Sequence, residues 1–396
     1  MPTYFSLGQI PPKRHTQFRR PDGKLYTEQL MGSRGFSGRA SLIYHHNMPT
    51  QVREIRKIQD CSVTYAKEQG LRHYHFKTKP LVKSGDPVTG RVVLLHNSDV
   101  SMAIAVPDQP MTYFYRNGQG DDVYFIHEGT GRLETIFGEL HYRPGDYVVV
   151  PRGTTYRFQA NTDAQRYLVM ESVSSVETPH RYRNEYGQLL EHAPMCERDI
   201  RRPERLETFV EQGKFEVRIK ARNQITAYEF DFHPLDVIGW DGYLYPYAFN
   251  IEDFEPITGR IHQPPPVHQT FEGRNFVICS FVPRMYDYHP LSVPVPYNHS
   301  NVDSDEVLYY VNGNFMSRRG IEVGSFTLHP SGIPHGPHPG ATEASLGAKE
   351  TKELAVMLDT FHPLYVTTEA EAYDDKTYPY SWLEPTGKFT GEGATG

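Results

Sequence analysis

An all-β protein with two barrel-like units behind an extended N-terminal arm is the fold class this 396-residue sequence predicts, on three observations. Short apolar runs bounded by Gly, Pro or Asp recur every eight to twelve residues over two separate stretches, the rhythm of antiparallel sandwiches and barrels. Gly 32 and Pro 31 together form about 16% of the chain, against roughly 12% in an average protein, while Tyr 27 and Phe 21 supply bulky strand formers. One spacing pattern occurs twice, once in each stretch.

Along the chain, residues 1–90 are polar and turn-rich, with Pro11-Pro12-Lys13-Arg14 and Gly32 to Gly38, and predict an arm wrapped on the body. Residues 91–175 carry Val92-Val93-Leu94-Leu95, Val123-Tyr124-Phe125-Ile126, Leu133 to Phe137 and Tyr147 to Val150, which predict the first barrel. Residues 176–260 are rich in charge, with a helix expected near Glu204 to Gln212, and predict a connector. Residues 261–372 carry Phe276-Val277-Ile278-Cys279, Val307 to Val311, Gly324 to Leu328 and Leu354 to Leu358, the strands of a second barrel. The tail, 373–396, is rich in Gly, Pro, Thr and Glu and predicts a poorly ordered or surface-bound end.

Lys+Arg 41 against Asp+Glu 48 leaves a net charge of −7 without a long basic run, which argues against nucleic acid as a partner. No stretch reaches 18 apolar residues, and Met1 to Arg20 lacks a signal-like core, so a cytoplasmic protein with no membrane partner is expected. Cys61, Cys196 and Cys279 lie far apart and argue against a disulfide framework or a thiolate zinc site. Of the 19 histidines, seven (His262, His268, His289, His299, His329, His335 and His338) fall within 77 residues, and that segment is where chemistry is expected.

The repeated pattern carries the chemistry. In the first stretch Gly145 is followed by five residues, Pro151-Arg152-Gly153, two residues and Tyr156. In the second, Gly324 is followed by five residues, Pro330-Ser331-Gly332, two residues and His335. Upstream, Asp121-Asp122-Val123-Tyr124-Phe125 matches Asp305-Glu306-Val307-Leu308-Tyr309, and Gly129 matches Gly313. The G-x5-P-x-G-x2-H string resembles the second motif of the cupin superfamily, so the expectation sharpens to two cupin-type jelly-roll barrels in one chain. His299 and, seven residues later, Glu306 fill the first motif loosely. With His335 they make a two-His, one-carboxylate set, which caps one face of a metal and leaves the other positions open, as in non-haem Fe(II) oxygenases. The first barrel has Tyr115, Asp122 and Tyr156 at the corresponding positions and is expected to be metal-free and structural.

Three longer blocks resemble the homogentisate 1,2-dioxygenase family: Leu25-Tyr26-Thr27-Glu28-Gln29-Leu30-Met31-Gly32-Ser33, Gly239-Trp240-Asp241-Gly242-Tyr243-Leu244-Tyr245-Pro246-Tyr247, and Pro334-His335-Gly336-Pro337. The resemblance implies one Fe(II) per subunit, held by His299, Glu306 and His335, and opening of the ring of homogentisate by O2 to maleylacetoacetate in tyrosine and phenylalanine breakdown. It also implies a homo-oligomer, a trimer or hexamer. The family's base matches His262, with His268 close enough to compete, and a further pocket histidine falls on His329. His335, Phe315 and His268 are expected to face the substrate. The chain departs from the family in two places: the first His and the Glu stand seven apart where animal members have six, and Phe315 replaces a substrate-contacting Tyr. Arg318, Arg319, Arg274 or a nearby Tyr are the candidates for holding a substrate carboxylate. The competing readings are a cupin dioxygenase for a gentisate-like acid or hydroquinone, a non-redox metal cupin isomerase, and a non-catalytic bicupin.

Overall fold

A computed structural model of the chain describes residues 3–67, 69–313, 315 and 320–383. Among the described residues strand pairing builds five sheets, of which the three largest lie in layers. The middle sheet has eight strands, with Tyr247–Asn250, Asp146–Val150, Asp121–Glu128, Arg166–Ser172, Val100–Ala105 and Arg91–His96 running side by side. On one face lies a seven-stranded sheet that includes Gly131–Thr135, Thr155–Ala160 and Phe114–Asn117; on the other lies a six-stranded sheet that includes Phe276–Phe281, Leu354–Thr360, Asp305–Asn312 and Phe326–His329.

The central strands read as continuous apolar runs because both of their faces are covered. Tyr124, Ile126, Val148 and Val150 point into the core of the first barrel. Their neighbours Val123, Phe125, Tyr147 and Val149 point the other way, into a core shared with Phe271, Ile278, Val307, Tyr309, Val356 and Leu358 of the second unit. Each large side chain buried there contributes roughly 1.5–3 kcal/mol. Polar ties cross the same layer: Tyr147 Oη pairs with Ser280 Oγ at 2.9 Å, and Arg166 Nε donates to Tyr309 Oη at 3.2 Å.

The duplication is visible in the backbone. Asp121 accepts from the Arg152 and Val176 N–H groups at 2.9 and 3.0 Å, and Asp305 accepts from those of Ser331 and Leu364, both at 2.8 Å. Each carboxylate therefore clamps the Pro-x-Gly turn of its own unit. The turn glycines Gly153 and Gly332 share φ values of 86° and 83°, a left-handed conformation that a side chain would strain.

The stretch 176–260, read from sequence as a connector, carries strands that belong to the sheets. Gln212–Ala221 and Gln224–Phe232 form a hairpin through Arg222 and Asn223, both at positive φ, and extend the seven-stranded sheet. Val237–Gly242 pairs with Phe5–Gly8 and Ala40–His45 from the arm, and Tyr247–Asn250 extends the middle sheet. The helix expected near Glu204 to Gln212 does not form. That segment runs extended along neighbouring strands, where Arg205 O accepts from Glu139 N–H at 2.8 Å and Phe209 N–H donates to Leu235 O at 3.1 Å. Tertiary pairing there outcompetes a weak helical tendency. From the arm, Tyr74–Phe76 also crosses to the second unit and pairs with Phe326–Leu328. Of the tail, 384–396 lie outside the described residues, while Tyr378 is buried. Among the described residues no helix is long and apolar enough to cross a membrane.

Trp240 joins arm, connector and first barrel. It is fully buried, meets Phe5, Phe137 and Tyr245, and donates from Nε1 to Phe137 O at 2.9 Å. Trp240→Ala is expected to lower stability by about 3–5 kcal/mol in chemical denaturation.

Candidate metal centre

The pleat of Asp305–Asn312 sends Val307 and Tyr309 into the shared core, so Glu306, Leu308 and Tyr310 face the interior of the second barrel. Glu306 sits opposite His329 on one side and Asp359 on the other. Beyond the Pro330-Ser331-Gly332 turn, His335 exchanges two backbone hydrogen bonds of 2.9 Å with His299, which draws the two loops together. Gly336 permits the approach, since a Cβ there would stand 2.2 Å from Asn298 Oδ1.

Three sequence-predicted residues therefore converge. His335 Nε2 lies 3.3 Å from Glu306 Oε1, and His299 Nε2 lies 3.7 Å from Glu306 Oε2. The three ligand atoms on offer all fall within 4.8 Å of one another. Both ring nitrogens of buried His335 lack a hydrogen-bond partner. A buried imidazole so placed is costly unless a ligand takes one nitrogen, and a cation between these two imidazoles and the carboxylate would satisfy it. Burial alone would raise the Glu306 pKa, but the surrounding imidazoles of His299, His329 and His335 hold it well below the usual carboxylate range, so it is anionic and available as a ligand.

His329 stands behind this set. Its Nδ1 meets Glu306 Oε1 at 2.8 Å, its Nε2 meets Tyr378 Oη at 3.2 Å, and its ring stacks on His335 at 4.4 Å. The side chain thus orients the carboxylate from the protein side.

In front of the set opens a cavity of about 420 Å³, lined by His299, Glu306, His262, His268, Phe315 and Asp359 among others. His262 is half-exposed, with Nδ1 3.5 Å from Asp287 Oδ2. His268 is buried, and its Nδ1 has no partner. Burial, aided by the charge of Arg284, pushes the His268 pKa down to about 3, so the ring is neutral, with one donor and one acceptor nitrogen. Phe315 packs edge-on against Tyr310 at 4.4 Å and brings no hydroxyl to the wall. Burial and the nearby Glu306 carboxylate push Asp359 well above its usual range. Of the arginines expected to hold a carboxylate, Arg274 lines a different cavity, and Arg318 and Arg319 lie outside the described residues. Arg284, which the sequence reading passed over, lines this one. Its signal was weak: a single Arg between two strands, with no motif around it.

The first barrel arranges the equivalent positions differently. Asp122 meets the guanidinium of Arg91 at 3.3 Å and accepts from Tyr156 Oη at 3.0 Å, while Arg91 also donates to the Tyr124 hydroxyl. Tyr115, Tyr142, Phe158 and Tyr167 occupy the rest of the interior. A side-chain cation sits on the carboxylate there and aromatic rings pack around it, while a cavity of about 390 Å³ lined by Arg91, Tyr115, Glu171 and Lys220 opens beside them.

Comparison with known proteins places the chain in a family. A family model described as homogentisate 1,2-dioxygenase N-terminal matches residues 8–251. A "Putative dioxygenase" of Saccharolobus solfataricus is 43% identical over 382 residues, covering 96% of this chain and 98% of that protein. Homogentisate 1,2-dioxygenase of Bradyrhizobium diazoefficiens is 27% identical over 274 residues, covering 65% of this chain and 59% of that protein, so this chain aligns with less than two thirds of that relative. A cupin 2 conserved barrel domain protein from Leptotrichia buccalis aligns over 78% of this chain and 99% of that one, at 10% identity and a TM-score of 0.33. The layered fold rests on the strand pairing above and not on that likeness.

Two outcomes follow from the geometry. His335→Ala and Glu306→Gln are each expected to lose bound metal, read by elemental analysis after dialysis. The folded pKa of His268 lies far below the roughly 6.5 of an unfolded chain, so unfolding takes up a proton there. Its contribution is complete above that pH and declines as acid is added, by about 1.4 kcal/mol per pH unit. Urea unfolding between pH 6 and 4 is expected to show His268→Phe losing stability less steeply than the parent by about that slope.

Proposed function

The chain belongs to the homogentisate 1,2-dioxygenase family, which makes it a cupin-type oxidoreductase, and we propose that it is an Fe(II)-dependent dioxygenase that opens the ring of a dihydroxy-aromatic acid, homogentisate first among them. The observation that carries the reading is the buried His335, with both ring nitrogens unpartnered, beside His299 and the anionic Glu306 at the wall of the cavity. These three would hold one iron per subunit and leave its other positions facing the cavity. Bound there, Fe(II) supplies a Lewis acid for a phenolic oxygen and a route for electrons to O2.

The chain's own residues do the rest. His262 takes the phenolic proton, and Asp287 at 3.5 Å stabilises the imidazolium that forms. Neutral His268 offers the second hydroxyl the acceptor nitrogen of its ring. Phe315, Leu308 and Met357 enclose the ring and exclude water. His329 keeps Glu306 oriented instead of touching substrate, because both of its nitrogens are engaged by protein. Assembly as a trimer or hexamer and a cytoplasmic place in tyrosine and phenylalanine breakdown belong to the same proposal.

A second reading is favoured by Phe315. A wall without that hydroxyl suits a gentisate-like acid or hydroquinone as well as homogentisate, with the same chemistry. Iron-loaded full-length protein in an oxygen electrode separates the readings. Uptake of one O2 per homogentisate, with maleylacetoacetate as product, supports the first; uptake with gentisate or hydroquinone alone supports the second. Bound iron without uptake on any of the three would overturn both. His262→Ala is expected to keep its iron and lose turnover by about 10²–10⁴-fold.

A further inference from the structure

Among the described residues lining the cavity, Arg284 is the only Lys or Arg. It is half-buried on the short strand Arg284–Met285, whose backbone is held against Glu350–Thr351. Its guanidinium forms one protein hydrogen bond, from Nη1 to Val282 O at 3.2 Å, and lies 5.9 Å from the centre of the Phe281 ring. No carboxylate pairs with it among the described residues. Asp287 and Glu353 line the same cavity without closing on it; Asp287 stands at 3.5 Å from His262. Burial lowers the Arg284 pKa, while the more distant charges of Glu353 and Asp287 and the Tyr286 ring partly restore it.

A cation in these surroundings has lost part of its water without gaining a paired anion among the described residues. Arginine remains charged under such conditions, and its planar fork matches a carboxylate. We propose that Arg284 is the anion-binding residue of this cavity and selects a ring that carries a carboxylate over the same ring without one. The proposal rests on the reading of the cavity as the substrate site and narrows the substrate class to aromatic acids, which places hydroquinone behind homogentisate and gentisate. Nε and Nη2 carry no protein hydrogen bond and are the atoms that would meet the carboxylate. Its neighbour His268, a neutral ring, would then accept from a hydroxyl of the same ligand through whichever nitrogen lacks the proton.

The test is equilibrium binding to the full chain by calorimetry, which needs no turnover. The probes are 4-hydroxyphenylacetate and its neutral counterpart, 4-hydroxybenzyl alcohol. The parent is expected to bind the acid about 10- to 100-fold more tightly than the alcohol, the range of a charge-assisted hydrogen bond. Arg284→Met should erase that ratio and leave the alcohol's affinity unchanged, and Arg284→Lys should keep part of it, since the charge survives without the fork. A parent that does not distinguish the probes overturns the proposal, as does an Arg284→Met chain that still prefers the acid. If Arg284→Met does not fold, an Arg284→Lys ratio equal to the parent's overturns it and a reduced ratio supports it. Oxygen uptake by the same chains separates this from the wider reading: a lost acid preference without oxygen uptake on any diol by the parent sinks the dioxygenase and leaves Arg284 as the anion site.

Discussion

Strands covered on both faces are the constraint on which the rest of this structure depends. Asp121–Glu128 and Asp305–Asn312 lie in sheets that share one core, so alternate residues must be apolar toward that core, and the remaining ones are committed to a barrel interior. Slipping the register by one residue would turn Glu306 into the shared core and Val307 into the cavity. The metal centre is therefore anchored by the burial of Val307, Tyr309, Val356 and Leu358 as much as by its own polar contacts.

Two copies of one scaffold resolve the charge of their interior carboxylate in different ways. In the first barrel the cation is part of the chain: Arg91 reaches Asp122 across two intervening strands of the same sheet, and tyrosine rings pack around the pair. In the second, three imidazoles surround Glu306, and one of them, His335, has both ring nitrogens unsatisfied. Both barrels carry a cavity, of about 390 and 420 Å³, but the first already pairs its carboxylate with Arg91, whereas the second leaves an unsatisfied imidazole beside the carboxylate and is built to receive something.

Within that barrel the histidines divide by surroundings. His299 and His335 face Glu306, His329 supports the carboxylate from behind, His268 is kept neutral by burial, and His262 remains half-exposed beside Asp287. In the proposed function one residue type would serve as ligand, orienting group, acceptor and base, because each position sets a different balance of burial and neighbouring charge.

Much of this was legible in the sequence. The repeated Gly-x5-Pro-x-Gly spacing located both interior carboxylates and His335, because turn glycines at positive φ and a period of two leave few alternatives. In 176–260 the alternation of Phe215, Val217 and Ile219 is hidden by the density of charge around it, and the connector expected there proved to supply strands that complete the first barrel's sheets and hold the arm. What the sequence determined by itself was local: turns, faces and the residue types on them. Tertiary structure decided what depends on distance between remote segments: that His329 lies behind Glu306, that Arg274 is remote from the cavity while Arg284 lines it, and that Arg91 meets Asp122. Spacing along a chain specifies direction within a strand, whereas charge pairing and burial arise only when strands far apart in sequence are brought side by side.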